Sequence, residues 1–450
     1  MIPAPRRGWC PGLARPMPTG DGLLVRLHPV AGRLAADQVR AAARAAREGG
    51  NGLLDVTARG NLQIRGVTAE SHARVAAILG EAALRDVRHD GGPQRLTLSA
   101  PLAGADCLAV VAAVEAIGRE VAGLPAKTLV AVEDEAGGLG SVEADLWVRV
   151  VSDTRDGVVA TLPGAARAIS APRPRGEETR TPYRVIPRPS LPEELPAFQL
   201  AVATPDGPLW LAPLPAPAAL EILQTLLDGL AASGARRMRG LSDSQRDALL
   251  ADLAPGEAPP AIPAPSAGRH GRALLTELPF GRCDDVLLDR LAGWSEAHGE
   301  GHLGLTPGRG IALTARDDAR ATILREEARA AGLIVDPADP RRAVAACPGA
   351  PACASGGTPA QEDAPRLAAA FAHLARLGAT LHVSGCPKGC AHPGPASLTL
   401  VGRPDGRYGV VPQGNAGAGT DLVLTFGAVL ERLESTRVPS DLRDAFREPA

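Results

Sequence analysis

Residues 57–64 read TARGNLQI, and residues 306–313 read TPGRGIAL. The two stretches resemble each other in their polar turn and in the apolar residues that follow it. Their positions agree as well, because Thr57 lies 35 positions after Gly22 and Thr306 lies 35 positions after Gly271. Similar sequence at a matched spacing predicts that the chain contains an internal repeat.

The same order of elements surrounds both stretches. The first copy has five predicted elements, which are strands at Leu23–Leu27, Leu53–Thr57 and Leu62–Arg65 and helices at 34–48 and 69–84. The second copy has five matching elements, which are strands at Ala273–Leu278, His302–Thr306 and Ile311–Thr314 and helices at Asp285–His298 and Asp317–Ala331. The order β-α-β-β-α is most of a ferredoxin-like unit.

A less regular α/β stretch follows each ferredoxin-like unit. Its predicted strands are Lys127–Glu133 and Ala144–Val151 in the first half, and Thr380–Ser384 and Ser397–Val401 in the second. We therefore predict an α+β fold with a duplicated chain, in which each half is a ferredoxin-like unit followed by an α/β unit and a pseudo-twofold axis relates the halves. The predicted units are 10–86, 87–253, a Pro/Ala linker at 254–267, 268–336 and 337–440.

Two segments of the first half are predicted separately. Residues 217–250 are expected to be helical and to close that half. Residues 171–196 contain seven prolines and are expected to form an irregular surface segment.

The composition excludes several classes of protein. The chain has 450 residues, 48 basic and 50 acidic side chains and a formal net charge of −2, so it lacks the basic excess of a nucleic-acid binder. It has no apolar run of the roughly 18 residues that span a bilayer, and its N-terminus lacks the apolar core of a secretory signal. We therefore expect a cytoplasmic protein whose seven cysteines are thiols or metal ligands.

Four of these cysteines form two spaced pairs. Cys347 and Cys353 have five residues between them, and Cys386 and Cys390 have three. Both pairs lie in segments rich in Gly and Pro, which can turn sharply and direct N–H groups at sulfur. Four thiolates from two tight loops can enclose a [4Fe–4S] cluster. The alternatives are a structural zinc ion, for which spacings of roughly two to four residues are usual, and four buried free cysteines.

The pattern C-x5-C followed by G-C-P-x-x-C resembles the cluster signature of the sulfite and nitrite reductase family. The resemblance extends over about residues 10–435 and includes the duplicated order of ferredoxin-like and α/β units. It implies a [4Fe–4S] cluster held by Cys347, Cys353, Cys386 and Cys390. In those reductases the last cysteine, here Cys390, also bridges the cluster to the iron of sirohaem.

Cations line the site of this family because its tetrapyrrole carries many carboxylates. The family motif T-x-R-x-x-x-Q matches Thr57, Arg59 and Gln63 here, and the motif P-x-K-F-K keeps Lys127 but has Leu129 in place of its second lysine. The resemblance implies a set of substrate-binding residues, namely Arg59, Gln63, Arg65, Arg95, Lys127 and Arg309. Each of these side chains could instead be an ordinary surface group.

The sequence SGCPKGCAHPG has Lys388 where the reductases usually have Asn, and residues 16–27 read PMPTGDGLLVRL. Both features resemble a branch of the family in aerobic cobalamin biosynthesis, in which a tetrapyrrole has become the substrate. This branch implies a monooxygenase that uses O2 to hydroxylate precorrin-3A at C-20 with lactone formation. The implied cofactors are a [4Fe–4S] cluster and a mononuclear non-haem iron. A sirohaem-dependent nitrite or sulfite reductase is the alternative, and a non-catalytic cluster- or tetrapyrrole-binding protein is a third possibility.

The ligands of the mononuclear iron are predicted only by their placement in motif loops, as His302, His392 and Cys10. Cys107 and Cys283 are predicted to lie on apolar helical faces in the core. The chain has no convincing nucleotide-binding fingerprint. We therefore expect its electrons to come from a donor protein or an NAD(P)H-linked reductase, and we expect no nucleic-acid or membrane partner.

Overall fold

The structure is a computed structural model that describes residues 10–151 and 197–447. The predicted irregular segment 171–196 lies outside the described residues. The chain divides into two compact units. Unit one joins Met1–Cys10 to Val87–Pro265, and unit two joins Pro11–Asp86 to Ser266–Ala450. The boundaries predicted along the chain divide it differently and stay a prediction.

The helices and strands of both units are numbered in chain order. The strands are β1 (Met17–Thr19), β2 (Gly22–Leu27), β3 (Arg33–Ala35), β4 (Leu53–Val56), β5 (Leu62–Val67), β6 (Thr97–Ser99), β7 (Val130–Glu133), β8 (Leu146–Val151), β9 (Ala197–Thr204), β10 (Gly207–Trp210), β11 (Gly268–His270), β12 (Ala273–Glu277), β13 (Arg282–Asp284), β14 (Gly299–Thr306), β15 (Gly310–Ala315), β16 (Val344–Ala346), β17 (Leu381–Ser384), β18 (Ala396–Gly402), β19 (Tyr408–Gly414) and β20 (Val423–Leu424). The helices are α1 (Ala36–Gly49), α2 (His72–Glu81), α3 (Ala105–Glu120), α4 (Ala216–Ser233), α5 (Asp243–Leu250), α6 (Asp285–Ala297), α7 (Asp318–Ala330), α8 (Ala360–Ala375), α9 (Phe426–Ser435) and α10 (Leu442–Ala445).

Each ferredoxin-like sheet of unit two contains one strand from the other copy of the repeat. The first sheet has the order β1-β2-β5-β4-β13, and the second has the order β11-β12-β15-β14-β3. Strand β13 pairs Cys283 with Leu54 of β4, and strand β3 pairs Leu34 with Leu303 of β14. This reciprocal exchange is the arrangement that a pseudo-twofold relation produces. The predicted duplicated α+β fold is therefore confirmed.

Helices α1 and α6 pack together within this pair of sheets. Ala42, Ala43 and Ala46 of α1 are fully buried, as are Leu288 and Leu291 of α6, and all of them belong to one hydrophobic cluster that includes residues from both copies. Alanine side chains let helices approach closely, and this explains how a core with few aromatic residues becomes close-packed. The two copies of the repeat thus share one core.

The two α/β sheets also have the same strand order, one in each compact unit. Strands β6, β7 and β8 are parallel, and β9 and β10 return antiparallel. Strands β16, β17 and β18 are likewise parallel, and β19 and β20 return antiparallel. The loops that contain the paired cysteines follow β16 and β17. Because neighbouring parallel strands end at the same edge of a sheet, these two loops are brought together.

Residues 217–250 are largely helical, as predicted, and they form two helices, α4 and α5, because Gly234 takes a left-handed φ of 72° and ends α4. Two other details of the predicted elements are wrong. Cys283 lies in strand β13 and not on a helix, although it is buried as predicted. Strand β7 begins at Val130 and not at the predicted Lys127, because a turn in which the Thr128 N–H donates to the Pro125 carbonyl precedes it.

Within the described ranges, no helix has the length and apolar character needed to cross a membrane.

Candidate functional site

The four paired cysteines lie in two loops at the carboxyl edge of the second α/β sheet. Cys347 follows β16, and the Gly385 N–H, at the end of β17, donates a hydrogen bond to the Cys347 Sγ at 3.1 Å. A second bond between the loops joins the Gly357 N–H to the Gly385 carbonyl at 2.7 Å. Gly349 has a φ of 64°, and a Cβ there would lie 2.4 Å from the Ala360 nitrogen. This part of the loop therefore requires glycine.

The thiols lie close enough to influence one another electrostatically. Burial raises the pKa of the Cys347 thiol, the Gly385 N–H opposes that rise, and Cys386 and Cys353 add to it. Desolvation also raises the pKa of the Cys390 thiol, and the other three cysteines raise it further. The structure thus brings together the four cysteines that the spacing singled out. In the described part of the chain, however, no three His, Cys, Asp or Glu side chains are grouped closely enough to hold one metal ion.

A cavity of about 270 Å3 adjoins the cysteine loops within unit two. Cys347 and Cys390 form part of its wall, and the predicted residues Gln63 and Arg309 form another part. Its further polar lining residues, which the sequence did not point to, are Arg26, Asp55 and Gln361. Arg26 could have been found from its strand, because β2 pairs it directly with Gln63 of β5. The cavity therefore combines cationic and amide side chains with two of the four thiols.

The two stretches of the internal repeat meet beside this cavity. Arg59 and Pro307 form a β-bridge, and the Gly308 N–H donates to the Ala58 carbonyl at 3.3 Å. Thr57 and Ala58 line the cavity, so the turn that contains Arg59 lies at its rim. The repeat thus places corresponding turns from both copies next to the cysteine loops.

Arg309 fixes the position of the second turn. Its backbone has a positive φ of 72°, and its Nη2 donates to the carbonyl of Ala391, the residue after Cys390, at 2.9 Å. Burial lowers the pKa of the Arg309 guanidinium, and Asp55 opposes that change. An arginine nevertheless stays protonated in proteins. Arg309 is therefore a partly desolvated positive charge in the wall of the cavity.

Comparisons with known proteins bear on the family of the chain. Residues 15–82 match the family model of the nitrite/sulfite reductase ferredoxin-like half domain. The chain is 33% identical over 429 residues to a curated precorrin-3B synthase from Sinorhizobium, and the match covers 91% of this chain and 84% of that protein. The chain belongs to the precorrin-3B synthase family. The predicted family, and the prediction that the chain is an enzyme, are thereby confirmed.

A solved structure adds evidence on the fold of this precorrin-3B synthase family member. The Mycobacterium tuberculosis NirA protein superposes with a TM-score of 0.64 and 19% sequence identity, covering 92% of this chain and 79% of that one. At this level of identity the similarity shows a shared fold alone.

Arg65, a predicted substrate-binding residue of this family member, lies with only 2% of its side chain exposed. Its guanidinium donates to both carboxylate oxygens of Asp21, to Asp55 and to the carbonyl of Ala352. A side chain engaged in this way does not match one that holds a substrate carboxylate.

Arg95 and Lys127 belong to unit one and are described within it. Arg95 is buried two positions before β6 begins. The backbone N–H groups of the next two residues, Leu96 and Thr97, donate to one oxygen of the buried Glu115 carboxylate, at 3.0 and 2.7 Å. Lys127 is exposed in the turn before β7. The predicted roles of Arg59, Arg95 and Lys127 in substrate binding stay predictions.

The candidates for a mononuclear iron find no support as a metal site. The Nε2 of His302 contacts an Arg33 guanidinium nitrogen, and burial lowers the pKa of its ring. The His392 Nε2 contacts the Pro395 carbonyl at 3.1 Å, and Cys10, in unit one, donates its thiol hydrogen to the Ala126 carbonyl at 3.4 Å. The spacing rules that identified the four paired cysteines have no counterpart for single histidines.

Proposed function

We propose that this chain is a precorrin-3B synthase that hydroxylates precorrin-3A at C-20 with O2. The observation that carries the proposal is the 33% identity, over 91% of the chain, to the precorrin-3B synthase from Sinorhizobium. The cavity of unit two supports it, because cationic side chains and two of the paired cysteines line the same space.

We propose that Cys347, Cys353, Cys386 and Cys390 hold a [4Fe–4S] cluster. The four thiols lie near enough that the other three cysteines raise the pKa of the Cys390 thiol. The five residues between Cys347 and Cys353 exceed the roughly two to four that are usual between zinc ligands. Both observations support the cluster. When bound, the cluster would supply single electrons to the reaction.

The protein's own side chains would hold the acidic macrocycle. Arg26 and Arg309 present positive charge to the cavity, and Gln63 adds an amide group. Charge-assisted contacts from arginine to carboxylate fix orientation as well as affinity. A volume of about 270 Å3 is below the roughly 300–1,000 Å3 of pockets that enclose a whole small-molecule ligand. This cavity would therefore take one edge of precorrin-3A with its carboxylate arms, and Arg59, in the turn at its rim, would bind a further arm. The substrate-binding roles of Arg95 and Lys127 stay separate predictions.

The proposed reaction balances with two electrons and two protons for each O2. One oxygen atom enters precorrin-3A at C-20 and becomes the hydroxyl group there, and the other leaves as water. The ring A acetate oxygen adds at C-1 as the double bond between C-1 and C-20 becomes single, and the acetate proton goes to the new C-20 oxygen. A donor protein or an NAD(P)H-linked reductase would supply the electrons, since O2 and the substrate provide none.

The test is to purify the chain under anaerobic conditions and to measure iron, acid-labile sulfide and the absorption spectrum. A cluster alone gives a broad shoulder, whereas sirohaem adds intense Soret and red bands. The loaded protein, with a chemical reductant and isotopically labelled O2, should place one labelled oxygen atom in precorrin-3A. A protein with Soret bands that reduces sulfite or nitrite and leaves precorrin-3A unchanged would contradict the proposal.

A further inference from the structure

The turn between β1 and β2 lies directly on the loop from Cys347 to Cys353. The Gly20 N–H donates to the Ala352 carbonyl at 3.2 Å. A Cβ at Gly20 would lie 2.0 Å from the Pro351 carbonyl oxygen and 3.0 Å from the carbonyl carbon of Cys353. Backbone therefore packs on backbone here, and the N-terminal ferredoxin-like copy contacts a cysteine loop that lies more than 300 positions later in the chain.

Arg65 makes a second set of hydrogen bonds at this contact. Its Nε and Nη2 pair with both oxygens of Asp21 at 2.9 Å, its Nη1 donates to Asp55 at 3.1 Å, and its Nη2 also donates to the Ala352 carbonyl at 2.6 Å. The bidentate pair with Asp21 fixes the plane of the guanidinium. The carbonyl before Cys353 thus receives two hydrogen bonds, one from Gly20 and one from a buried, oriented cation.

The internal repeat provides a comparison for this network. In the second copy, Thr314 occupies the position of Arg65, and Gly304 occupies the position of Asp55. The same type of sheet therefore forms without these charges. The stability of a ferredoxin-like sheet does not explain why the first copy buries an arginine between two carboxylates, an arrangement that is costly to desolvate.

We propose that Arg65 is a positioning residue that, with Asp21 and Gly20, holds the Ala352–Cys353 peptide in the geometry required by the iron–sulfur cluster. This inference rests on the proposed cluster. Arg65 orients a ligand without touching iron, and its positive charge lies beside the loop. Removing the Arg65 side chain would leave the Ala352 carbonyl with one hydrogen-bond donor, Gly20. It would also remove the positive charge that lies between the Asp21 and Asp55 carboxylates.

The experiment compares variants of the full chain. Arg65→Met removes the charge and the fork, Arg65→Lys keeps the charge only, and Gly20→Ala displaces the turn while every charge remains. Arg282→Met is the matched control, because Arg282 also pairs with Asp55, at 2.7 Å, but does so from β13. For each protein we would measure iron and sulfide per chain, the rate of iron release to a chelator, the electron paramagnetic resonance spectrum of the reduced cluster and thermal unfolding.

We expect Arg65→Met and Gly20→Ala to release iron roughly 10- to 100-fold faster than the wild type, the range expected for losing a hydrogen bond from a charged donor. Their resonance spectra should shift, Arg65→Lys should be intermediate, and Arg282→Met should match the wild type in both properties even if it melts earlier. Release at the wild-type rate in Arg65→Met and Gly20→Ala, or equal acceleration in Arg282→Met, would overturn the proposal. If Arg65→Met does not fold, the iron-release rates of Gly20→Ala and Arg65→Lys test the proposal in its place.

The wild-type protein separates this inference from the proposed function. Wild-type protein without iron and sulfide refutes the cluster itself. In that case the rate at which a thiol reagent labels Cys353 in the metal-free chain still tests the contact. Faster labelling in Arg65→Met and Gly20→Ala than in Arg282→Met supports the positioning role, and equal rates refute it.

Discussion

His382 should make the protein sensitive to mild acid. Its side chain is fully buried in β17, and neither ring nitrogen has a hydrogen-bond partner among the described residues. Burial, with smaller effects of His392 and Arg309, lowers the pKa of His382 to about 4. In the first α/β sheet the corresponding position, opposite Trp147 of β8, is Ala131. An imidazole is therefore not needed to build this sheet.

The size of the effect follows from the two pKa values. An unfolded histidine has a pKa of about 6.5, so between pH 6.5 and pH 4 the unfolded state binds more protons than the folded state. The free energy of unfolding is therefore not reduced by His382 above pH 6.5, and it decreases as the pH falls below that value. Lowering the pH from 7 to 5 should cost about 2 kcal/mol through this group alone.

The assay is urea unfolding of the wild type and of His382→Leu at pH 7 and at pH 5. Other titrating groups cancel in the comparison, so the variant should lose about 2 kcal/mol less than the wild type between the two pH values. His373→Leu is the control, because the His373 ring contacts the Thr436 carbonyl at 2.7 Å. Equal losses in the wild type and His382→Leu would refute the reasoning.

Three further predictions concern the proposed cluster and substrate. Cys386→Ser should lose cluster iron and sulfide, and full content in an elemental assay would remove the assignment. Lys388→Asn should lower the cluster potential in a redox titration, because a positive charge beside the cluster favours its reduced form. Lys388 donates to the Ser355 hydroxyl at 2.9 Å, which places its ammonium between the cysteine loops; an unchanged potential would contradict this. Arg59→Ala and Arg95→Ala should each weaken precorrin-3A binding roughly 30- to 1,000-fold with the cluster intact, and normal binding in an equilibrium titration would make these residues ordinary cations.

Local signals in the sequence were sufficient to predict most of the fold. Apolar periodicity and the repeat located β2, β4, β5 and their counterparts to within a few residues. Strands β3 and β13 could not be predicted, because three residues are too few to show a period and their partners lie in the other copy. Phe280, whose φ of 56° bends the chain before β13, gives no sequence signal of the kind that a glycine would give.

Local sequence likewise predicts some residues of the candidate site and not others. The cysteine spacing is local, and it predicted which four thiols the structure brings together. Arg26 and Asp55 line the cavity only because β2 and β4 flank β5, a relation that emerges from pairing rather than from a motif. Arg65 matched a family pattern, but its hydrogen-bond acceptors lie in a hairpin turn and in a loop of the other half of the chain. A single sequence contains no sign of that distant contact.

The exchanged strands also determine when the protein can complete its fold during synthesis. The sheet that begins at Met17 needs β13, which ends at Asp284, as its outermost strand. At roughly 5–20 residues per second, the ribosome takes about 10–40 s to extend the chain from β5 to β13. Throughout that interval β4 has an unpaired edge, the kind of surface that attracts strands from other chains. Production of this protein should therefore depend on chaperones that shield nascent chains, and an N-terminal fragment ending before β13 should aggregate.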